Sequence, residues 1–195
     1  MTALCFATNN SHKLEEARSI LGSRFIIASL QDINCKEELP ETRDSLEGNS
    51  LQKAEYVFHN FGIPCFADDT GLEVDALNGA PGVMSARYAG DQRNSEDNIA
   101  LLLKNLKTRP NRRARFRTII TLIGLTPQPL QFEGIIEGTI TEEKSGHAGF
   151  GYDPVFVPAG YTQTFGQMAA DKKNQVSHRA IALQKLAGYL TDYKG

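Results

Sequence analysis

Apolar and polar positions along this chain switch repeatedly between a short-run pattern and a helical period. Residues 3–8 form an apolar run that stops at Asn9-Asn10. Leu14, Ala17, Ile20 and Leu21 then share one helical face, with Lys13, Glu15, Glu16 and Arg18 off it. Asn10 or Ser11 supplies the N-cap and Gly22 the stop. Residues 25–29 read as a second strand, and an acidic loop with Pro40 follows. A helix is predicted over residues 45–60, with Leu51, Ala54, Phe58 and Phe61 as its apolar stripe and Gly62 as its end. Residues 64–67 form a third, buried strand that runs directly into Asp68-Asp69, with Thr70-Gly71 making a turn.

The second half repeats the alternation. Ser95 caps a helix carrying Ile99, Leu102, Leu103 and Leu106 at i, i+3, i+4 and i+7 spacing. Residues 114–125 and 130–140 alternate like half-buried strands, and Pro127-Gln128-Pro129 turns one into the other as a long antiparallel hairpin. A glycine-rich segment, residues 146–151, leads to a short strand at 155–157. A last helix starts near Ser177 and buries Ile181, Leu183, Leu186 and Leu190. Parallel-type strand–helix units combined with a hairpin predict an α/β fold, one domain over residues 1–195 with a mixed central sheet.

Composition adds bounds rather than chemistry. The 195 residues fit one domain and suffice for a real core. The net charge of −2 lacks the basic excess of a general nucleic-acid binder, so no nucleic-acid partner is expected. Cys5, Cys35 and Cys65 form no CxxC pair, so neither a disulfide framework nor a zinc site is indicated. Cys5 and Cys65 read as packed core thiols. With no signal-like N-terminus and no run of about 18 apolar residues, a cytoplasmic protein without membrane attachment is expected.

Four segments could carry chemistry. Thr8, Asn9, Asn10, Ser11, His12 and Lys13 lie between a strand end and a helix N-terminus, where backbone N–H groups and the helix dipole favour an anion. The same residues suit an ordinary capped turn, and the Walker glycines are absent. Asp68, Asp69, Glu73 and Asp75 crowd one segment; Glu37, Glu38, Glu41, Asp44 and Glu47 crowd another. Converging carboxylates need a cation, and without a Cys/His ligand set the matching ion is a hard one such as Mg2+, although acidic loops are often simply solvated. In GFGYDP, residues 149–154, glycines flank rings able to stack on a nucleobase, or to serve as core aromatics. Lys172, Lys173, His178 and Arg179 place cations at or just before a helix N-terminus, against its dipole, which is the kind of local violation expected at a functional site. Five arginines between residues 109 and 117 read as a solvated loop and strand face.

Taken in order, ATNNSHKLEE, LPET with NSLQKA, ADDTGLEVDALNGAPGVMSARYAG, FGYDPVF and KNQVSHRAIAL resemble the inosine triphosphatase family, the pyrophosphatases of non-standard purine nucleoside triphosphates. The resemblance runs from Ala7 to Leu190. One departure is Asn9, where many members have glycine. The resemblance implies hydrolysis of XTP, ITP and dITP to the monophosphate and pyrophosphate, Mg2+ as cofactor, two lobes flanking a nucleotide-binding cleft, and a homodimer. It places triphosphate contacts on Thr8 to Lys13 and on Lys53, and the metal and general-base positions on Glu41 and Asp69. Asp68 then serves as an auxiliary carboxylate. Thr70 falls beside the substrate, with the base pocket at Phe150, Gly151, Tyr152, Asp153, Lys173, His178 and Arg179. Two other readings stay open: the same chemistry on pyrimidine nucleotides, and a nucleotide-binding sensor without catalysis.

Overall fold

A computed structural model describes residues 3–193. Its strands are β1 (Ala3–Phe6), β2 (Ile26–Ala28), β3 (Cys65–Val74), β4 (Pro81–Gly82), β5 (Arg113–Ile123), β6 (Leu130–Ile140) and β7 (Phe156–Pro158). The helices are α1 (Ser11–Leu21), α2 (Leu46–Phe61), α3 (Ser95–Leu106), α4 (Ala170–Val176) and α5 (His178–Asp192). The sheet is mixed, in the order β2-β1-β3-β5-β6-β7 with β4 beside β3. β1 runs parallel to both β2 and β3, whereas β4 on β3 and β7 on β6 are antiparallel. The α/β reading with a mixed sheet holds.

The chain divides into two compact units. The first takes in the chain up to Asp69, Thr118–Gly134 and the chain from Arg179 on; the second takes in Thr70–Arg117 and Ile135–His178. In the first, Leu4, Phe6, Phe66, Ile120 and Leu122 from the sheet pack with Ala17 and Leu21 of α1 and Leu183, Leu186 and Leu190 of α5. In the second, Leu72, Phe116 and Phe156 pack with Ile99, Leu102 and Leu106 of α3 and with Phe165.

Several boundaries differ from the sequence reading. β3 does not turn at Thr70-Gly71 but continues to Val74, because β4 pairs with it at Leu72 and Glu73. Gly71 makes that pairing possible, since a Cβ there would lie 2.6 Å from the Gly82 carbonyl oxygen. Asn94, not Ser95, caps α3, its Oδ1 accepting from the N–H groups of Glu96 and Asp97. The last helix starts at His178, as expected, but a further short helix, α4, precedes it, so Lys172 and Lys173 lie inside a helix. Ile181 is only half-buried, and Ala180 and Ala182 are buried in its place. β5 alternates only in its first half; from Thr118 to Ile123 it is buried on both sides.

The largest difference is in α2. Ser45 caps it, and its buried residues are Leu46, Asn49, Ser50, Lys53, Ala54 and Val57. Leu51, Phe58 and Phe61 of the expected stripe are half-buried flanks. Half of the innermost face is therefore polar.

Cys5, Cys35 and Cys65 are all free, buried and in one apolar cluster of the first unit. Burial pushes the Cys5 and Cys65 thiols up to about 12, each helped by a neighbouring thiol, and raises Cys35 as well. Since the thiolate is the reactive form, a disulfide reagent at pH 7 should titrate none of the three in the native protein. It should titrate all three after denaturation in urea.

Candidate functional site

The turn after β1 is built by its own side chains. Thr8 Oγ1 accepts from the Asn10 N–H, and Asn10 Oδ1 caps α1 by accepting from the Lys13 N–H. Asn9 reaches elsewhere: its Nδ2 donates to the Glu37 carbonyl at 3.2 Å and its Oδ1 accepts from the Leu39 N–H at 3.0 Å. The Asn9 side chain thus stitches the turn to the acidic loop. Thr8, Asn9, Asn10 and Ser11 border a cavity of about 680 Å³ shared with Ser29, Asp32 and Lys36. His12 stays exposed beside Glu15.

Lys13 points away from solvent onto Asp68, with Nζ at 3.0 Å from both carboxylate oxygens. Asp68 is fully buried at the middle of β3 and also accepts from Arg179 Nε at 3.2 Å. Arg179, itself 2% exposed, donates through Nη1 to Glu16 of α1. Burial opposes the charge on Asp68, but Lys13 and then Arg179 hold its carboxyl well below the usual range. Burial lowers the Lys13 pKa despite Asp68. Within the first unit, Arg179 therefore belongs to a four-member ionic cluster with Lys13, Asp68 and Glu16.

A second cluster adjoins it. Lys53 Nζ lies 2.6 Å from Glu41 Oε1 and 3.8 Å from Asp69 Oδ1. Asn49 Nδ2 donates to Asp69 Oδ2 at 3.1 Å. Asp69 is 8% exposed, and burial, with Glu41 adding to it, raises its pKa against the opposing pull of Lys53 and Lys13. Burial works against the charge on Lys53, yet Asp69 and Glu41 hold its pKa above the ordinary lysine value. Both clusters arise because β3 is buried on both faces while carrying Asp68 and Asp69, and because α2 turns Asn49 and Lys53 inward one helical turn apart. Buried charges persist only when paired. Here each carboxylate has a cation.

Glu41 and Asp69 are hard oxygen donors already sharing one cationic group. Among the described residues no three His, Cys, Asp or Glu side chains converge as a complete metal cage. A small divalent ion bound through one or two carboxylates takes its remaining ligands from water and substrate phosphates, and the pair suits that arrangement.

The second unit holds the other expected positions. Asp153 is buried and accepts from the Phe150 N–H at 2.8 Å and from Lys173 Nζ at 2.7 Å. Lys173 Nζ also sits 4.8 Å from the centre of the Phe150 ring. Gly149 is required beside them: its φ is +75°, and a Cβ there would fall 2.0 Å from Asp153 Oδ2. Of the two rings in GFGYDP, Phe150 is half-buried, whereas Tyr152 is in the core with its hydroxyl donating to the Ser85 carbonyl. His178 is buried and stacks on Phe116, ring centres 4.5 Å apart. Thr70, next along β3 from Asp69, is half-buried. Of the arginine run, Arg109, Arg113 and Arg115 are exposed as expected, while Arg112 donates to the carbonyls of Leu106, Ile140 and Thr141, Arg109 to that of Ala76, and Arg115 pairs with Glu73.

A model of the Ham1 family matches residues 4–189. The chain belongs to the Ham1 family. It is 53% identical over 191 residues to a dITP/XTP pyrophosphatase of Porphyromonas gingivalis, covering 97% of this chain and 98% of that protein. Identity to the dITP/XTP pyrophosphatase of Flavobacterium johnsoniae is 51%, covering 98% and 99%. Among solved structures, a Ham1 protein from Staphylococcus aureus superposes with a TM-score of 0.89 at 34% identity, over 99% of this chain and all of that one. One from Coxiella burnetii gives 0.90 at 34% identity, over 98% and 100%.

The sequence reading singles out most charged members of the two clusters but assigns no role to Glu16 and Asn49, two side chains that hold them. Glu16 closes the ATNNSHKLEE segment and Asn49 opens NSLQKA, yet neither stands out by its own chemistry. The local signal for Asn49 is its place one helical turn before Lys53.

Proposed function

We propose that this Ham1-family chain hydrolyses non-standard purine nucleoside triphosphates, XTP, ITP and dITP, to the monophosphate and pyrophosphate. The observation that carries the reading is the Glu41–Lys53–Asp69 cluster beside Lys13 and Asp68 in a chain half identical to dITP/XTP pyrophosphatases.

Phosphate binding falls to the Thr8–Lys13 turn, where the α1 N-terminus presents N–H groups, and to the cations of Lys13 and Lys53. Asp69 orients the attacking water and accepts its proton, a role suited by a pKa raised through burial. The water oxygen bonds to the α-phosphorus as the bond to the bridging oxygen breaks, and pyrophosphate leaves with the charge that Lys13 and Lys53 face. Glu41 and Asp69 would hold Mg2+, which when bound supplies charge neutralisation on phosphate oxygens and a more acidic water.

Base recognition falls to the second unit. A 6-oxo purine needs donors, and adenine's amino group would leave those donors unmatched, a discrimination of about 10⁴-fold. The donors are sought on Lys173 and His178, with the Phe150 ring, its centre 4.8 Å from Lys173 Nζ, available for stacking.

The test is turnover of ITP, dITP, XTP, ATP, dTTP and UTP with Mg2+ and with products resolved. Pyrophosphate from the first three, with ATP turned over orders of magnitude more slowly, is the expected result. Orthophosphate as product would sink the assigned bond, and preference for a pyrimidine would sink the base. Tight ITP binding with no product would favour a sensor. A solution mass distinguishes the expected homodimer from a monomer.

A further inference from the structure

We infer that Asn49 is a positioning residue, one that fixes the orientation of Asp69 and ties the Glu41 segment to it. The inference deepens the reading above and rests on Asp69 being the proton acceptor.

Asn49 lies on the inward face of α2, 4% exposed. Both ends of its amide are committed. Oδ1 accepts from the Arg43 N–H at 2.9 Å, and Nδ2 donates to Asp69 Oδ2 at 3.1 Å. A backbone N–H can only donate and a carboxylate can only accept, so the amide has one permissible orientation. Flipping it would set two donors against each other at Arg43 and an oxygen against the Asp69 carboxylate.

Two consequences follow for the clusters. First, the two oxygens of Asp69 become unequal. Oδ2 is held by Asn49, and Oδ1 faces Lys53 Nζ at 3.8 Å. Rotation of the carboxylate about its Cβ–Cγ bond, which would exchange the oxygens, breaks the Asn49 hydrogen bond. Second, Arg43 is two residues beyond Glu41, so the Asn49 amide spans from the Glu41 segment to β3. The separation of Glu41 from Asp69 is thereby set by a short, buried, directional link and not only by the flexible Lys53 side chain. An amide on a buried helix face costs stability relative to an apolar residue unless its hydrogen bonds are made. Its retention here is accounted for by what it holds.

The test exchanges donor and acceptor across this link. Asn49→Asp keeps the size and the acceptor for Arg43 but replaces the donor to Asp69 with an oxygen. We expect kcat for ITP to fall by about tenfold or more with KM changed less than about threefold, and the thermal midpoint to fall. In the double variant Asn49→Asp/Asp69→Asn the direction of the bond reverses: the amide introduced on β3 donates back to the carboxylate introduced on α2. Its thermal midpoint should recover towards wild type while turnover stays at the level of Asp69→Asn alone. If Asn49→Asp does not fold, folding of the double variant makes the same point. A double variant no more stable than Asn49→Asp would overturn the inference, as would full kcat in Asn49→Asp beside an inactive Asp69→Asn. Full activity in Asp69→Asn would instead overturn the proton-acceptor assignment on which the inference rests. The recovered midpoint would still report the Asn49–Asp69 link in that case.

Discussion

Asp69→Asn should lower turnover of ITP by about 10²–10⁴-fold and leave nucleotide binding largely intact. The substitution is nearly isosteric and removes the proton acceptor while keeping an oxygen that can accept from Asn49. Asp69 is buried, and its ionisation is already disfavoured by burial and by Glu41, so losing the charge does not uncover a deficit in the fold. The cations that would meet the triphosphate, Lys13 and Lys53, remain. The measurement is kcat and KM for ITP alongside a binding isotherm for the nucleotide. Activity within about tenfold of wild type would exclude Asp69 as the base.

Asp68, one residue earlier, should behave in the opposite way. Asp68→Leu leaves Lys13 and Arg179 buried without the carboxylate that both touch. Breaking a buried ion pair from one side costs about 3–5 kcal/mol, against a total stability of about 5–15 kcal/mol for a domain. A large drop in the urea midpoint is the expected result. A pH dependence accompanies it. Burial alone would raise the Asp68 pKa, but Lys13, Arg179 and Lys53 together hold the folded value far below the unfolded one of about 3.9. The unfolded chain therefore binds this proton first. The stabilisation is fully present above about pH 4 and is lost progressively as pH falls towards the folded value. Urea midpoints measured from pH 6 down to pH 2 should decline more steeply for wild type than for Asp68→Asn. Parallel curves would remove Asp68 as a contributor to acid sensitivity.

The order of strands and helices was legible in the chain because apolar periodicity reports which face is buried. The misses that bear on the site share one cause: that signal reads a polar residue as an exposed one. α2 was assigned the stripe Leu51, Ala54, Phe58 and Phe61, but its innermost face carries Asn49, Ser50 and Lys53. Ser50 is satisfied by Thr121 at 2.7 Å, Lys53 by Glu41, and Asn49 by Arg43 and Asp69. Arg43 is six residues from Asn49, and the other partners lie farther along the chain. The turn expected at Thr70-Gly71 failed similarly, since acidic residues and a glycine read as loop until a second strand is found to pair with them. The functional segments were legible for another reason. Asp68 and Asp69 directly follow an apolar run, and Lys173, His178 and Arg179 cluster near a helix start. Both patterns violate local preferences, and the structure offsets them with long-range ion pairs and ring stacking. Glu16 breaks no local rule, so its chemistry alone does not distinguish it.

The polar inner face of α2 sets this protein's response to selection for heat resistance. Replacing buried polar groups together with their partners by apolar residues of similar volume is often neutral or stabilising. Variants enriched after heating should therefore include apolar substitutions at α2 positions matched by changes on the 41–43 segment or on β3. Such variants would gain rigidity where the proposed chemistry resides, so tolerance of heat and turnover would diverge along this one helix. Stabilising the protein without that loss means working on the outer surfaces of α1, α3 and α5, away from both ionic clusters.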